Sequence, residues 1–243
     1  MIAFLTSSPT GPLDGSRPVD GLDRKNFFVE NLQKCWKDNA RCLMIAASPD
    51  AFEANDEMRA FFENAVKKAG LSVSEFALLD RRNERMTREE LHGFDVIFLG
   101  GGHVPTQNRF FHEIGLRENL EGYGGMFIGI SAGSMNCADT VYAQPELEGE
   151  SVSPEYVRFL QGLGLTKTMI LPHYQMVKDW YLDGRKLYDE ITFEDSCGRE
   201  FLVLTDGSYL LIEDGKESVW GEAYRISDGR IGCICEENGS QSW

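Results

Sequence analysis

The segment Gly129-Ile130-Ser131-Ala132-Gly133 sets a serine between two glycines, each two residues away. The apolar stretch Met126–Ile130 leads into it, and a stretch able to form a helix begins at Ala132. This pattern is typical of a sharp strand-to-helix turn, which needs glycine where the two backbones approach and which raises the serine hydroxyl above a sheet. The helix start adds free N–H groups and a positive dipole end. We therefore predict Ser131 as a nucleophile, with helix capping as the alternative interpretation.

A serine hydroxyl needs a base at neutral pH, and histidine commonly serves. The chain has four histidines, at positions 92, 103, 112 and 173. His173 follows the apolar run Met169–Leu171 and Pro172. It is thus expected at the end of a strand, where open α/β sheets bind ligands, and we predict it as the base. His103 follows three glycines and is predicted to contact substrate, whereas the other two histidines belong to predicted helices.

The base in turn needs a carboxylate that orients its imidazole. Glu146 follows the serine by fifteen residues, and Asp206 follows the predicted strand Phe201–Leu204. Residue types and spacing alone leave both candidates open. Of the two substitutions, we expect Glu146→Gln to slow turnover more than Asp206→Asn.

Attack on a carbonyl also requires two hydrogen-bond donors for the oxyanion. The backbone N–H of Ala132 is one candidate. Gly101 or Gly102, in Leu99-Gly100-Gly101-Gly102-His103, is the other, because backbone without side chains can approach a substrate closely. Neither Gly-Lys-Ser/Thr nor GxGxxG follows, so this segment is not predicted to bind phosphate.

Strand-length apolar runs alternate with helical patterns and must position these residues. The predicted early strands are Ile2–Thr6, Cys42–Ala47, Val73–Leu79 and Phe94–Leu99. Continuous apolar strands separated by helices favour a parallel sheet with right-handed crossovers. The helix between the second and third strands has capping-box spacing at Asp50 and Glu53, and Gly70 marks its end.

The C-terminal part differs in character. Asp-Gly pairs at 206–207, 214–215 and 228–229 separate short alternating runs, which predicts antiparallel hairpins. We therefore predict a single α/β domain over residues 1–243. It should contain a doubly wound, mostly parallel sheet with helices on both faces and a small antiparallel C-terminal extension. The segment 146–153 is predicted to form a mobile surface loop.

Composition excludes several classes of protein. The formal net charge of −15 opposes nucleic-acid binding, and no apolar run approaches the ~20 residues of a membrane span. Six cysteines without a CxxC pair, together with scattered histidines, give no disulfide framework and no metal signature. The N-terminal residues lack the pattern of a secretory leader. We expect a reduced, cytoplasmic protein that needs no cofactor and binds no membrane, and we leave a homodimer open.

With these motifs assembled, the chain resembles the peptidase E (aspartyl dipeptidase) and cyanophycinase family of serine peptidases, whose fold is related to class I glutamine amidotransferases. Three segments carry the resemblance: Phe98-Leu99-Gly100-Gly101-Gly102, Gly129-Ile130-Ser131-Ala132-Gly133 and Leu171-Pro172-His173-Tyr174. They occur in the order of the family and at roughly its spacing, and the resemblance spans residues 1 to about 212.

The resemblance implies that Ser131 is the nucleophile and His173 the base, and that Gly101 or Gly102 shares the oxyanion hole with Ala132. It leaves Glu146 and Asp206 both open as the acid. It also implies a metal-independent hydrolysis of small peptides with an N-terminal aspartate, whose carboxylate Arg185 would bind. An esterase or acyltransferase with the same triad, and a catalytically silent binding protein of this fold, are the alternatives.

Overall fold

The computed structural model describes residues 1–13, 15 and 19–243. The strands in these residues are β1 (Ile2–Thr6), β2 (Ala40–Ile45), β3 (Val73–Leu79), β4 (Val96–Leu99), β5 (Met126–Ile130), β6 (Thr140–Tyr142), β7 (Phe159–Gln161), β8 (Met169–Leu171), β9 (Tyr181–Leu182), β10 (Arg185–Lys186), β11 (Glu200–Leu204), β12 (Tyr209–Glu213), β13 (Lys216–Trp220), β14 (Ala223–Ser227), β15 (Arg230–Cys235) and β16 (Ser240–Ser242).

The helices are α1 (Phe28–Cys35), α2 (Phe52–Lys68), α3 (Arg88–His92), α4 (Val104–Glu113), α5 (Leu116–Asn119), α6 (Ala132–Met135), α7 (Tyr174–Val177) and α8 (Phe193–Asp195). Short 3₁₀ turns lie at Lys25–Phe27 and Arg81–Asn83, and a π-helix lies at Leu187–Thr192.

Eight strands form the main sheet, in the order β16-β13-β12-β1-β5-β4-β2-β3. The five strands from β1 to β3 in this order run parallel, and β12, β13 and β16 extend the sheet in antiparallel fashion. Helices cover both faces, because α1 and α2 pack in one apolar cluster while α4 and α5 pack in another. The predicted α/β fold class is confirmed.

Alternation along the central strands explains why both faces are covered. In β5, Met126 and Ile128 join the cluster with α1 and α2, whereas Phe127 joins the cluster with α4. In β4, Val96 and Ile97 divide in the same way. Successive side chains of a strand point to opposite faces, so an uninterrupted apolar strand must be buried on both.

The strands β15-β14-β11-β8, in this order, form a second sheet that is separate from the main sheet. Strands β8 and β11 are parallel to each other, and the other pairs are antiparallel. Ile170 and Leu202 of this sheet share an apolar cluster with Leu5 and Leu210 of the main sheet, so one core joins the two. The C-terminal extension is therefore divided between two sheets.

Two local expectations need correction. Residue Ala51 caps α2 without a side-chain hydrogen bond, so the capping box expected from Asp50 and Glu53 does not form. The pair Asp206-Gly207 is not a hairpin turn, since β11 and β12 belong to different sheets. By contrast, Asp214-Gly215 and Asp228-Gly229 do join antiparallel neighbours, and all four residues have positive φ, as a tight hairpin turn requires.

The predicted end of α2 holds, because Gly70 follows that helix with φ +80°. The segment 146–153 is composed of turns and short loops. Within the described residues, no helix combines the length and apolar character that a bilayer span requires.

Candidate active site

The turn at Ser131 has the strained backbone that its sequence predicts. Ser131 has φ 51° and ψ −111°, and it lies between the end of β5 and the start of α6. A Cβ on Gly129 would lie 2.7 Å from Ser134 Oγ, and one on Gly133 would lie 2.1 Å from the carbonyl oxygen of Leu99. Both glycines are therefore required by close backbone approach. The turn leaves Ser131 partly accessible at the carboxyl end of the sheet.

His173 contacts both Ser131 and Asp206. Its Nε2 lies 2.8 Å from Ser131 Oγ, and its Nδ1 lies 2.6 Å from Asp206 Oδ1. The carboxylate can only accept, so Nδ1 carries the proton and Nε2 is free to accept the proton of the serine hydroxyl. This arrangement has the donor and acceptor order of a serine–histidine–acid triad.

Asp206 is held by several donors. Its side chain is fully buried beside His173. Burial alone would raise the pKa of the carboxyl group, but hydrogen bonds from His173, Ser7 and Gln175 outweigh it and keep the pKa below its ordinary value. Asp206 therefore remains an anion, the state that orients and stabilises a histidine cation.

Glu146 occupies a different position. Both ring nitrogens of His173 are taken by Ser131 and Asp206. Among the described residues, the side chain of Glu146 accepts only a long hydrogen bond, of 3.4 Å, from the backbone N–H of Val104. The structure thus places Asp206, and not Glu146, against the imidazole. The sequence left both carboxylates open as the acid and ranked Glu146→Gln as the more damaging substitution, whereas the geometry favours Asp206. The physical reason is that Asp206 follows β11, the parallel neighbour of the strand before His173.

The predicted oxyanion donors lie beside the serine. In the described part of the chain, the backbone N–H groups of Gly101, Gly102 and Ala132 have no hydrogen-bond partner. A Cβ on Gly101 would lie 3.7 Å from Ser131 Cβ, which shows how closely this loop approaches. Glycine is needed at position 102 for a different reason, because a Cβ there would lie 2.7 Å from Ala47 Cβ.

Two cavities flank the pair Ser131 and His173. The α2 recess, of about 640 Å³, has walls that include Met58, Phe61 and Phe62. The Glu146 recess, of about 420 Å³, also reaches Ser131 and His173, and its further lining includes Met135, Pro145, Glu146, Trp180, Leu182 and Leu187. A substrate bound over Ser131 can therefore place one part in each recess.

The two residues that the sequence predicted to contact substrate, His103 and Arg185, line neither recess. His103 bonds through Nδ1 to Thr106 and through Nε2 to Glu150, at 2.8 Å and 2.9 Å. Arg185 donates to Glu194 Oε2 at 2.6 Å and to the backbone oxygen of Glu190. The short hairpin of β9 and β10 turns this guanidinium toward the π-helix. The structure therefore brings neither side chain to the serine.

Ser7 and Gln175 are contacts that the sequence reasoning missed. Ser7 Oγ donates to Asp206 Oδ1 at 2.7 Å and accepts from the backbone N–H of His173 at 2.8 Å. The carbonyl oxygen of Ser7 accepts from the N–H of Ser131 at 3.1 Å. Gln175 Nε2 donates to Asp206 Oδ2 at 2.7 Å. The available signal was the position of Ser7 directly after β1, at the same sheet edge as Ser131.

Solved structures share this fold. The structure "Crystal structure of a peptidase from an acI-B1 Actinobacterium" is 17% identical, with a TM-score of 0.65, and the match covers 100% of this chain and 96% of that chain. A putative peptidase E protein from Listeria monocytogenes EGD-e is 16% identical, with a TM-score of 0.50, and the match covers 96% of this chain and 97% of that one. No curated protein matches the sequence significantly.

The family comparison extends over most of the chain. The model of peptidase family S51 matches residues 21–219, a range that includes the glycine loop (Gly100, Gly101 and Gly102), the turn at Ser131, His173 and Asp206. The chain belongs to peptidase family S51, a family of serine peptidases.

Proposed function

We propose that the protein is a serine exopeptidase that hydrolyses small peptides through a triad of Ser131, His173 and Asp206. The observation that carries the proposal is the unbroken chain of hydrogen bonds from Ser131 Oγ through both nitrogens of His173 to Asp206. It lies beside backbone N–H groups that have no partner among the described residues, and between two recesses that can receive the two sides of a peptide bond.

The reaction proceeds through an acyl-enzyme. His173 Nε2 takes the proton of Ser131 as its oxygen attacks the scissile carbonyl, and Asp206 stabilises the imidazolium that forms. The N–H of Ala132 and that of Gly101 or Gly102 stabilise the oxyanion, each such donor contributing about 10²–10³ in turnover. His173 then protonates the leaving amine, and a water molecule, activated in the same way, releases the acyl group.

The resemblance to aspartyl dipeptidases suggests an N-terminal aspartate as the residue released. None of the described residues that line the two recesses is a lysine or arginine. Support for this preference therefore comes from the resemblance alone, and a substrate panel should pair aspartyl peptides with neutral ones.

The test is the hydrolysis of dipeptides and aminoacyl anilides by Ser131→Ala. We expect turnover to fall at least about a thousandfold, since the nucleophile is lost. The turnover of Asp206→Asn should be lower than that of the wild type by a factor of about 10⁴, because an amide no longer fixes the tautomer of the histidine. Turnover equal to that of the wild type in Ser131→Ala would contradict the proposal, and esters included in the panel would show whether acyl transfer from esters is preferred.

A further inference from the structure

The Glu146 recess contains a carboxylate that the triad does not use. Glu146 lines this cavity together with Ser131 and His173, and it is the only acidic or basic side chain apart from His173 among the described residues of the lining. Met135, Leu187 and similar apolar side chains form much of the remaining wall. Glu146 is exposed in the structure, so its carboxylate is accessible to a group that binds in this recess.

The neighbouring charges are already paired, whereas Glu146 is not. Glu150 accepts from His103 Nε2 at 2.9 Å and from the backbone N–H groups of Glu146 and Leu147 at 2.9 and 3.0 Å. In the part of the chain that the structure describes, the carboxylate of Glu146 has only the long hydrogen bond from Val104, and no lysine or arginine there forms an ion pair with it. Surrounding protein atoms raise the pKa of Glu146, an effect that the nearby His103 opposes. A carboxylate without a paired cation is stabilised by any cation that binds beside it in the recess.

The position of Glu146 near Ser131 indicates which cation of a substrate it would bind. The α-nitrogen of an amino acid lies only about 2.5 Å from its own carbonyl carbon, by standard backbone geometry. When the scissile carbonyl of an N-terminal residue lies over Ser131, its ammonium group is therefore necessarily close to the nucleophile. Internal residues of a peptide and N-acylated residues carry a neutral amide at the same position.

We propose that Glu146 binds the free α-ammonium group of the residue released, and so restricts the enzyme to the N-terminal peptide bond. This inference rests on the proposed exopeptidase function. It gives Glu146, which the sequence left open as one of two candidates for the triad acid, a role in substrate selection instead. It also predicts that the substrates are short peptides with an unblocked N-terminus.

The experiment compares free and N-acetylated forms of leucyl and aspartyl anilides, for wild type and Glu146→Gln. For whichever residue is cleaved, the wild type should prefer the free amine. Glu146→Gln should reduce this preference in kcat/KM by about 10–100-fold, the worth of a hydrogen bond to a charged group. The matched control is Glu148→Gln, at a glutamate two residues away that is exposed, as Glu146 is, but does not line the recess, and it should keep the full preference.

Labelling of Ser131 by a fluorophosphonate separates the two levels of failure. If the wild type neither labels nor turns over any substrate, the proposed function fails. If Glu146→Gln labels at the wild-type rate but retains the preference, or slows free and acetylated substrates equally, the assignment of Glu146 is wrong while the function stands. The panel also includes N-acetyl-lysyl anilide, which carries its only ammonium group on the side chain. Cleavage of this compound in preference to the free-amine substrates would also overturn the proposal.

A measurement on the unaltered enzyme covers the case in which Glu146→Gln does not fold. The free product amino acid should inhibit competitively, and its N-acetyl form should inhibit at least about tenfold less well, since only the first has the ammonium group. Equal inhibition by the two would contradict the role of Glu146.

Discussion

At the scale of single residues, the geometry of the candidate site depends on side chains outside the proposed triad. Ser7 contacts all three members of the triad: it accepts from the N–H groups of Ser131 and His173 and donates to Asp206. It is fully buried, so these bonds do not compete with water. A fixed geometry of this kind is what positions a base before the reaction begins. We therefore regard Ser7 as a positioning residue.

The prediction at this scale concerns Ser7→Ala. We expect kcat to fall about 10–100-fold with little change in KM, because a hydrogen bond to the charged Asp206 and the acceptor for the His173 backbone are lost. Ser7→Thr, which keeps the hydroxyl, should recover part of kcat. Steady-state kinetics and thermal melting measured side by side provide the check. A fall in stability with an unchanged kcat would show a merely structural role.

At the scale of elements, five strand ends build the site. The turn at Ser131 follows β5, Ser7 follows β1, and the glycine loop follows β4, all in the main sheet. The other two members of the triad follow β8 and β11 of the second sheet. The site therefore lies between the carboxyl ends of strands from two different sheets. The sequence had suggested a single edge of one sheet. The contact of Gly133 with Leu99 keeps the turn against β4.

The prediction at this scale is that Gly133→Ala destabilises the protein. Its Cβ would lie 2.1 Å from a backbone oxygen, which cannot move without displacing β4, so we expect a loss of about 1–3 kcal/mol in the free energy of unfolding. Urea unfolding measures it. Gly124→Ala is the control, since its Cβ would meet nothing within 4 Å, and an equal loss in both variants would refute the explanation.

At the scale of the whole molecule, acid sensitivity follows from carboxylates that are buried and paired. The side chain of Asp80 is 1% exposed and bonds to Arg82 at 2.7 Å. Burial opposes ionisation, but the hydrogen bonds from Arg82 and Asn55 prevail and lower the pKa of Asp80. A lowered pKa stabilises the folded state above the unfolded value of about 3.9, and this contribution is lost as the pH falls through the folded pKa.

We accordingly expect the free energy of unfolding to decline below about pH 4. Asp80→Asn should be less stable by roughly 1–3 kcal/mol at pH 7 and should show a shallower decline toward acid. Asp56→Asn removes an exposed partner of the same arginine and should change stability much less than Asp80→Asn does, because an exposed ion pair is screened by solvent. Urea unfolding at pH 7, 5 and 3.5 decides between them, and parallel acid curves for the wild type and Asp80→Asn would be inconsistent with this account.

Local features were accessible from the amino-acid sequence because their physical cause is local. The turn at Ser131 needs glycines two residues away on each side, and the buried parallel strands need continuous apolar runs, so both can be recognised within a short window. The hairpins at Asp214-Gly215 and Asp228-Gly229 are of the same kind. The family resemblance and the α/β fold class, which rest on such segments, are confirmed.

Contacts between distant segments were decided only by the tertiary structure. Asp206 is 33 residues from His173, and Ser7 is 166 residues from it, so their pairing depends on which strands become neighbours. The adjacency of β8 and β11 selects Asp206 as the partner of the imidazole and leaves Glu146 in its recess, while the β9–β10 hairpin directs Arg185 elsewhere. Residue type and spacing carry no information on strand adjacency, because the energy of pairing is distributed over the whole core.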